Sequence, residues 1–148
     1  MILSLAIFFS LDRYLKFLSL SQPESSVPLL GEWLKFSFTK NYYIAFSLPF
    51  SGPLLTLLLI LVIICLIFAI FYLKKANNYS WFSLFPLTLI IFGAISNLTD
   101  RLIFNYVIDY FDCRYFTVFN LADVMITSGA LLFLLNYNHK NSGNEKRS

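Results

Sequence analysis

Long apolar runs alternate with short polar interruptions along this chain, and the runs come at membrane-spanning length. Ile2 to Leu20 is apolar except for Asp12, Arg13 and Lys16. Leu54 to Leu73 is twenty residues without a charge, enough for a helix to cross a hydrocarbon core of ~30 Å. Two further runs complete a set of four predicted helices at about 2–20, 54–73, 82–102 and 117–137. Between the first two, residues 21–53 are punctuated by Pro23, Pro28, Gly31, Pro49, Gly52 and Pro53, the signature of turns. Leu34, Phe36 and Phe38 alternate there with Lys35, Ser37 and Thr39, and a period of two predicts a half-buried strand. Asn41 to Phe46 is expected to turn back as a second strand. The expected fold is therefore an all-α membrane protein: four transmembrane helices with a small extracytoplasmic β-sheet cradle between helices 1 and 2. Trp33 and the tyrosines would anchor that sheet at the membrane surface. Val107 to Tyr115 reads as a polar loop and 139–148 as a disordered polar tail.

Composition agrees with the pattern. Hydrophobic residues make up 58% of the 148 and charged residues 13%, against roughly 45–50% and 25% in an average soluble domain. One domain spanning 1–148 is the simplest reading. The net charge of +3 is spread along the chain, which argues against a nucleic-acid surface. Cys65 and Cys113 stand far apart without metal-ligand spacing, and the lone histidine, His139, lies in the tail. No cofactor or metal is expected. No basic residue precedes the first apolar run and no A-x-A-like site follows it, so that run reads as a retained helix rather than a signal peptide.

Loop charges set an expected orientation. Lys74 and Lys75 follow the second run, and Lys140, Lys146 and Arg147 lie in the tail; the positive-inside rule puts these segments, and with them both termini, in the cytoplasm. Asp12 and Lys16 then fall in the outer half of helix 1. Asn97, Asp100 and Arg101 fall at the outer end of helix 3, and Asn120 and Asp123 in the first turns of helix 4. Four of the five aspartates lie between Ile95 and Thr127. Asp123, between the apolar 116–122 and a run reaching Leu135, reads as lying well inside a membrane helix, where a carboxylate costs at least ~2.5–3.5 kcal/mol and is a functional candidate. Asp12 and Lys16 share a face at i,i+4 and can partly neutralise each other, which by itself fits a helix-end ion pair. Asn97, Asp100 and Arg101 can form a local cluster. Asn97-Leu-Thr99 also fits a glycosylation pattern, but inside a membrane helix the match is fortuitous. Asp109, in the connection between helices 3 and 4, can be brought opposite Asp123. Two facing carboxylates share a proton, so one can activate water while the other polarises a carbonyl. No serine sits in a GxSxG setting.

These residues also fall into a known order of motifs. Asp12-Arg-Tyr-Leu-Lys16 matches a D-x-x-x-K block, and Asn41-Tyr-Tyr-Ile-Ala-Phe46 matches N-x-G-A-A-F. Gly93 to Arg101 matches GxxGNxxDR, Val107-Ile-Asp109 matches V-V-D, and Phe119-Asn-Leu-Ala-Asp123 matches F-N-x-A-D, followed by Gly129-Ala130. The chain thus resembles the lipoprotein signal peptidases (signal peptidase II), bacterial intramembrane aspartic peptidases. The resemblance implies that Asp109 and Asp123 are catalytic. It implies that Asn41, Asn97, Arg101 and Asn120 orient the substrate, and that Asp12, Lys16 and Asp100 support the site. It further implies an inner-membrane, multi-pass enzyme with its active site toward the extracytoplasmic face. The substrates implied are diacylglyceryl-modified prolipoproteins cut before the lipidated cysteine, with membrane lipids as surroundings and a monomer as the working form. Tyr43 and Ser96 stand where the family motifs have glycine. The alternatives are a non-catalytic lipoprotein-binding homologue, to which Tyr43 points, and a small transporter or scaffold subunit. The latter would need a polar path to the cytoplasm, which the charge-free second run does not offer.

Overall fold

The computed structural model describes residues 2–43, 52–75 and 83–145. In chain order these form α1 (Ile2–Ser21), β1 (Ser26–Leu30), β2 (Leu34–Asn41), α2 (Pro53–Lys75), α3 (Phe85–Phe104), β3 (Val107–Cys113), β4 (Val118–Phe119) and α4 (Leu121–Glu145). The protein is mostly helical, with one antiparallel sheet in the order β1-β2-β3-β4. Among the described helices, α2 and α3 are long and apolar enough to cross a membrane, and Leu121–Asn136 is a shorter apolar stretch.

Helix α3 is the centre of the bundle. Ten of its residues are buried, whereas α2 buries only Leu55 and Ile63, leaving most of its apolar surface outward as a lipid-facing helix requires. Leu5, Leu89 and Met125 join α1, α3 and α4 with Phe85 and Phe92. Ile63, Ile91 and Ala94 join α2 to α3, with Ile126 of α4 packed against them. Gly93 and Gly129 let α3 and α4 meet closely: a Cβ on Gly93 would lie 2.5 Å from the Ala122 carbonyl oxygen, and one on Gly129 2.7 Å from that of Pro86. Small residues serve this purpose in membrane helix pairs, because they let backbones approach.

The sheet differs from the expected one in two respects. First, β2 runs unbroken to Asn41 and its hairpin partner is the preceding strand, β1. The turn falls at Gly31, whose φ of +55° suits glycine, and the Trp33 N–H closes it onto the Leu30 carbonyl at 3.1 Å. Of the expected returning strand, Ile44 to Phe46 lie outside the described residues. Second, Val107 to Cys113 is a strand rather than a loop, and it pairs with β2 from Leu34↔Cys113 to Asn41↔Val107. The sheet is therefore built equally from the segment between α3 and α4. Asp109 and Asp112 break the apolar alternation of this stretch, which hid a strand otherwise rich in β-branched and aromatic residues. A bulge in β2 between Phe36 and Thr39 brings Thr39 opposite Asp109.

The expected helix limits also shift. Helix α4 starts at Leu121 rather than Thr117, because Val118 and Phe119 pair with Asp112 and Phe111. Asp123 is consequently in the first helical turn, not deep within a membrane helix. At its other end α4 continues to Glu145, so most of the stretch read as a disordered tail is helical backbone; extending a helix orders only one residue per added hydrogen bond. Helix α3 ends at Asn105, whose φ of 65° is left-handed and whose N–H bonds to the Arg101 carbonyl. That cap reverses the chain directly into β3.

Candidate active site

The polar residues of α1, α3, β3 and α4 meet at one end of the bundle in two connected layers. The inner layer is a buried ionic cluster. Lys16 Nζ lies 3.1 Å from Asp12 Oδ2 and 2.8 Å from Asp100 Oδ2, and Arg13 pairs with Asp100 Oδ1 at 2.5 Å. Asp12, Lys16 and Asp100 are 0% exposed, so Asp12 and Lys16 are not an ion pair at a wet helix end. Two acids face two bases, the condition under which buried charges are tolerated. Asp100 turns to α1 and to the Ile108 N–H at 3.2 Å, and the expected local Asn97–Asp100–Arg101 cluster does not form. Arg101 points the other way, donating to the Tyr43 carbonyl at 2.7 Å.

The outer layer lines a cavity of about 690 Å³ that includes Asn41, Asn97, Arg101, Asp109 and Asp123 in its wall. Asp109 is 1% exposed and accepts from two amides, Asn120 Nδ2 at 2.7 Å and Asn41 Nδ2 at 2.8 Å. Asn41 is fixed in turn by the Tyr43 N–H on its Oδ1 at 3.0 Å. Asp123 accepts from Asn97 Nδ2 at 2.8 Å. Asn97 Oδ1 accepts from Lys16 Nζ at 2.9 Å and from Asn120 Nδ2 at 3.1 Å. The asparagines thus join the ionic layer to both carboxylates, and Asn97, buried and fully engaged, is no glycosylation acceptor.

Asn120 and Asp123 form a capping box at the start of α4. The Asp123 N–H donates to Asn120 Oδ1 at 2.9 Å, and the Asn120 N–H donates to Asp123 Oδ2 at 3.2 Å. This is the reciprocal arrangement that stabilises helix N-termini, and here it leaves Asp123 Oδ1 aimed at the cavity side with Asn97. Burial first, and then the charge of Asp123, raise the Asp109 carboxyl to about 7 against the opposing Asn41 and Asn120 amides. A carboxyl in that range exchanges its proton near neutral pH.

Three residues of this assembly were not singled out as site residues in the sequence. Arg13 follows Asp12 and precedes Lys16 by three, so three charges inside one apolar run were the available signal. Ser96, present where the family motif has glycine, donates to Asp12 Oδ2 at 2.5 Å and lies 3.4 Å from Lys16 Nζ. Tyr110 donates to Asp12 Oδ1 at 2.8 Å; strand alternation gives no hint that it would reach α1. Tyr43 lines the cavity, and among the described non-glycine residues only Asn105 has a positive φ. No backbone need for glycine exists at position 43.

The chain is similar to known proteins over most of its length. Residues 4–138 match the signal peptidase (SPase) II family. A lipoprotein signal peptidase of Chlorobaculum tepidum is 35% identical over 140 residues, covering 84% of this chain and 85% of the relative. One of Bartonella quintana is 42% identical over 112 residues, covering 72% and 66%. Two solved structures of bacterial membrane enzymes share the fold, at 23% identity each and TM-scores of 0.82 and 0.74. They cover 96% and 90% of this chain, and 89% of each solved chain is matched. On the extent of these matches, the chain belongs to the signal peptidase II family of membrane peptidases.

Proposed function

We propose that this chain is a lipoprotein signal peptidase in which Asp109 and Asp123 are the reacting pair. The observation that carries the assignment is their shared cavity wall, with an asparagine amide donating to each. With the Asp109 carboxyl raised to about 7, the pair holds a single shared proton over part of the neutral range. The ionised carboxylate takes a proton from water, whose oxygen attacks the scissile carbonyl, while the protonated carboxyl donates to the carbonyl oxygen. Collapse of the gem-diol with protonation of the leaving nitrogen breaks the peptide bond. Asn41, Asn97 and Asn120 hold the carboxylates. Arg101, fixed on the Tyr43 carbonyl, orients the substrate at the cavity wall. Asp12, Lys16 and Asp100 are the buried base on which the asparagines rest.

The substrate is a diacylglyceryl-modified prolipoprotein cut before its lipidated cysteine. Leu55, Leu58, Leu59 and Val62 of α2 and Val124 and Ile126 of α4 form the helical share of the apolar cavity wall, matching a substrate that enters sideways with acyl chains attached. All four helices span the inner membrane in this reading, as one domain over 1–148. Both termini are cytoplasmic, and the sheet rests on the outer surface with Trp33 and Tyr115 exposed. The enzyme works as a monomer.

The test is cleavage of a lipidated prolipoprotein by purified protein in detergent, with an unlipidated substrate as control. The parent is expected to cut only the lipidated form. Asp109→Asn and Asp123→Asn, still folded, are expected to lose about a thousandfold or more in rate, as for members of an interdependent catalytic set. Parental rates in either variant would remove that residue from the pair. Binding without cleavage by the parent would make the chain a binding homologue.

A further inference from the structure

The first turn of α4 is held largely by groups from other elements. The Leu121 N–H donates to the Tyr110 hydroxyl at 2.9 Å and the Ala122 N–H to Asp12 Oδ1 at 3.1 Å. The Asp123 N–H is held by Asn120, and the Val124 N–H reaches the Asn120 carbonyl at 3.4 Å. A helix start leaves its first amides without intrahelical partners; here β3 and α1 supply two of the missing acceptors. The Tyr110 oxygen accepts from Leu121 and donates to Asp12 Oδ1 at 2.8 Å, so one hydroxyl joins both. Its ring is fully buried between Phe36 and Phe111, with centroids 5.5 and 4.8 Å away. Tyr110 is also the strand neighbour of Asp109.

We propose that Tyr110 is a positioning residue for peptide hydrolysis: its hydroxyl, acting with Asp12, ties the strand that carries Asp109 to the helix turn that carries Asp123. The proposal rests on the reading of those two aspartates as the reacting pair. Removing the hydroxyl leaves the Leu121 amide without its acceptor and Asp12 Oδ1 one donor short, while the ring still fills its place. The first turn of α4 then keeps the Asn120 side chain and the β3–β4 pairing as ties to β3 but loses the one that fixes its backbone amide directly. The cavity wall and substrate contacts remain, because Tyr110 is not part of that wall. Burial and the nearby Asp12 raise the phenol well above its ordinary value, so it stays a donor throughout the working range.

The test uses the full chain in detergent with a lipidated prolipoprotein, measuring kcat and KM for Tyr110→Phe beside Asp109→Asn and Asp123→Asn. The expected result is a fall in kcat of about tenfold or more with KM changed by less than about twofold, since a small misplacement of reacting groups is felt in the chemical step. A purely structural role predicts instead that the folded fraction keeps its full kcat. That result, or parental kcat in a folded variant, overturns the proposal. Amide exchange on the parent gives a measurement that does not depend on the variant folding. The Leu121 and Ala122 amides should be protected to the level of the interior of α4, and exchange at the rate of an uncapped helix start overturns the proposal. If the two aspartate variants cleave at the parental rate, the pair assignment fails and takes the proposal with it. If they are dead and Tyr110→Phe is unaffected, only the role of Tyr110 is lost.

Discussion

Lys16 shows how a residue that would be expensive alone becomes structural in company. Its ammonium faces Asp12, Asp100, Asn97 and Ser96 with no exposure to solvent. Replacing it by methionine leaves two buried carboxylates to Arg13 alone, and breaking a buried pair in this way costs ~3–5 kcal/mol. Lys16→Met is therefore expected to unfold at clearly lower denaturant or temperature than the parent; an unchanged midpoint would mean the cluster is not ionic. Asp109 carries the opposite kind of dependence. Its folded-state value, about 7, lies above the ordinary 3.8, so the folded protein holds this proton more tightly than the unfolded chain does. The stability it contributes is full below pH ~4 and lost as pH rises toward ~7. In thermal melts the parent should lose ground relative to Asp109→Asn across that window, and parallel curves for the two proteins would contradict the shift. Activity should likewise fall on the alkaline side as the pair loses its shared proton, with a limb near pH 7 in kcat/KM.

Among the elements, the α3–α4 contact and the strand β3 decide where the two aspartates lie. At Gly93 an added methyl would meet the Ala122 carbonyl, which is backbone at the first turn of α4 and cannot swing aside. Gly93→Ala is expected to push that turn away from α3, lowering stability by ~1–3 kcal/mol as overpacking does and reducing cleavage more than substrate binding. A fully active Gly93→Ala protein would show that α4 can shift without consequence. Strand β3 has all of Val107 to Tyr110 buried, so it is covered on both faces and Asp109 comes to the cavity from a rigid sheet, not from a mobile loop. The hairpin β1–β2 is pinned against it by aromatic contacts of Phe36 with Tyr110 and Phe111.

At the scale of the whole molecule, the proposed orientation puts sheet and cavity outside and the end of α2 inside. The native Cys113, half-buried on β3, and a cysteine introduced at Lys75 can report the two sides. In spheroplasts of a Cys65→Ser background, Cys113 should react with an impermeant maleimide from outside. Lys75→Cys, made in a background that also lacks Cys113, should react only after permeabilisation. The reverse pattern would invert the topology. Most of the apolar surface of α2 is exposed, and its Leu55, Leu58, Leu59 and Val62 share the cavity wall with Asp109 and Asp123.

Helix number, approximate helix spans, the existence of β2 and the set of acids and asparagines were legible in the chain, because apolar run length, period and motif spacing are local properties. The partition of the charged residues was not. Asp100 and Arg101 are adjacent in sequence yet serve opposite layers, since neighbouring helical positions point about 100° apart and only the packing of α1 against α3 determines which one is buried. Likewise Ser96 and Tyr110 acquire their roles from Asp12, 84 and 98 residues away. Strand β3 was hidden by its own aspartates, of which the buried Asp109 is accommodated by the amides of Asn41 and Asn120 that come to meet it. Local patterning settles which segments are helix or strand; which buried polar group finds which partner is a long-range matter, and only the folded chain brings those partners within hydrogen-bond distance.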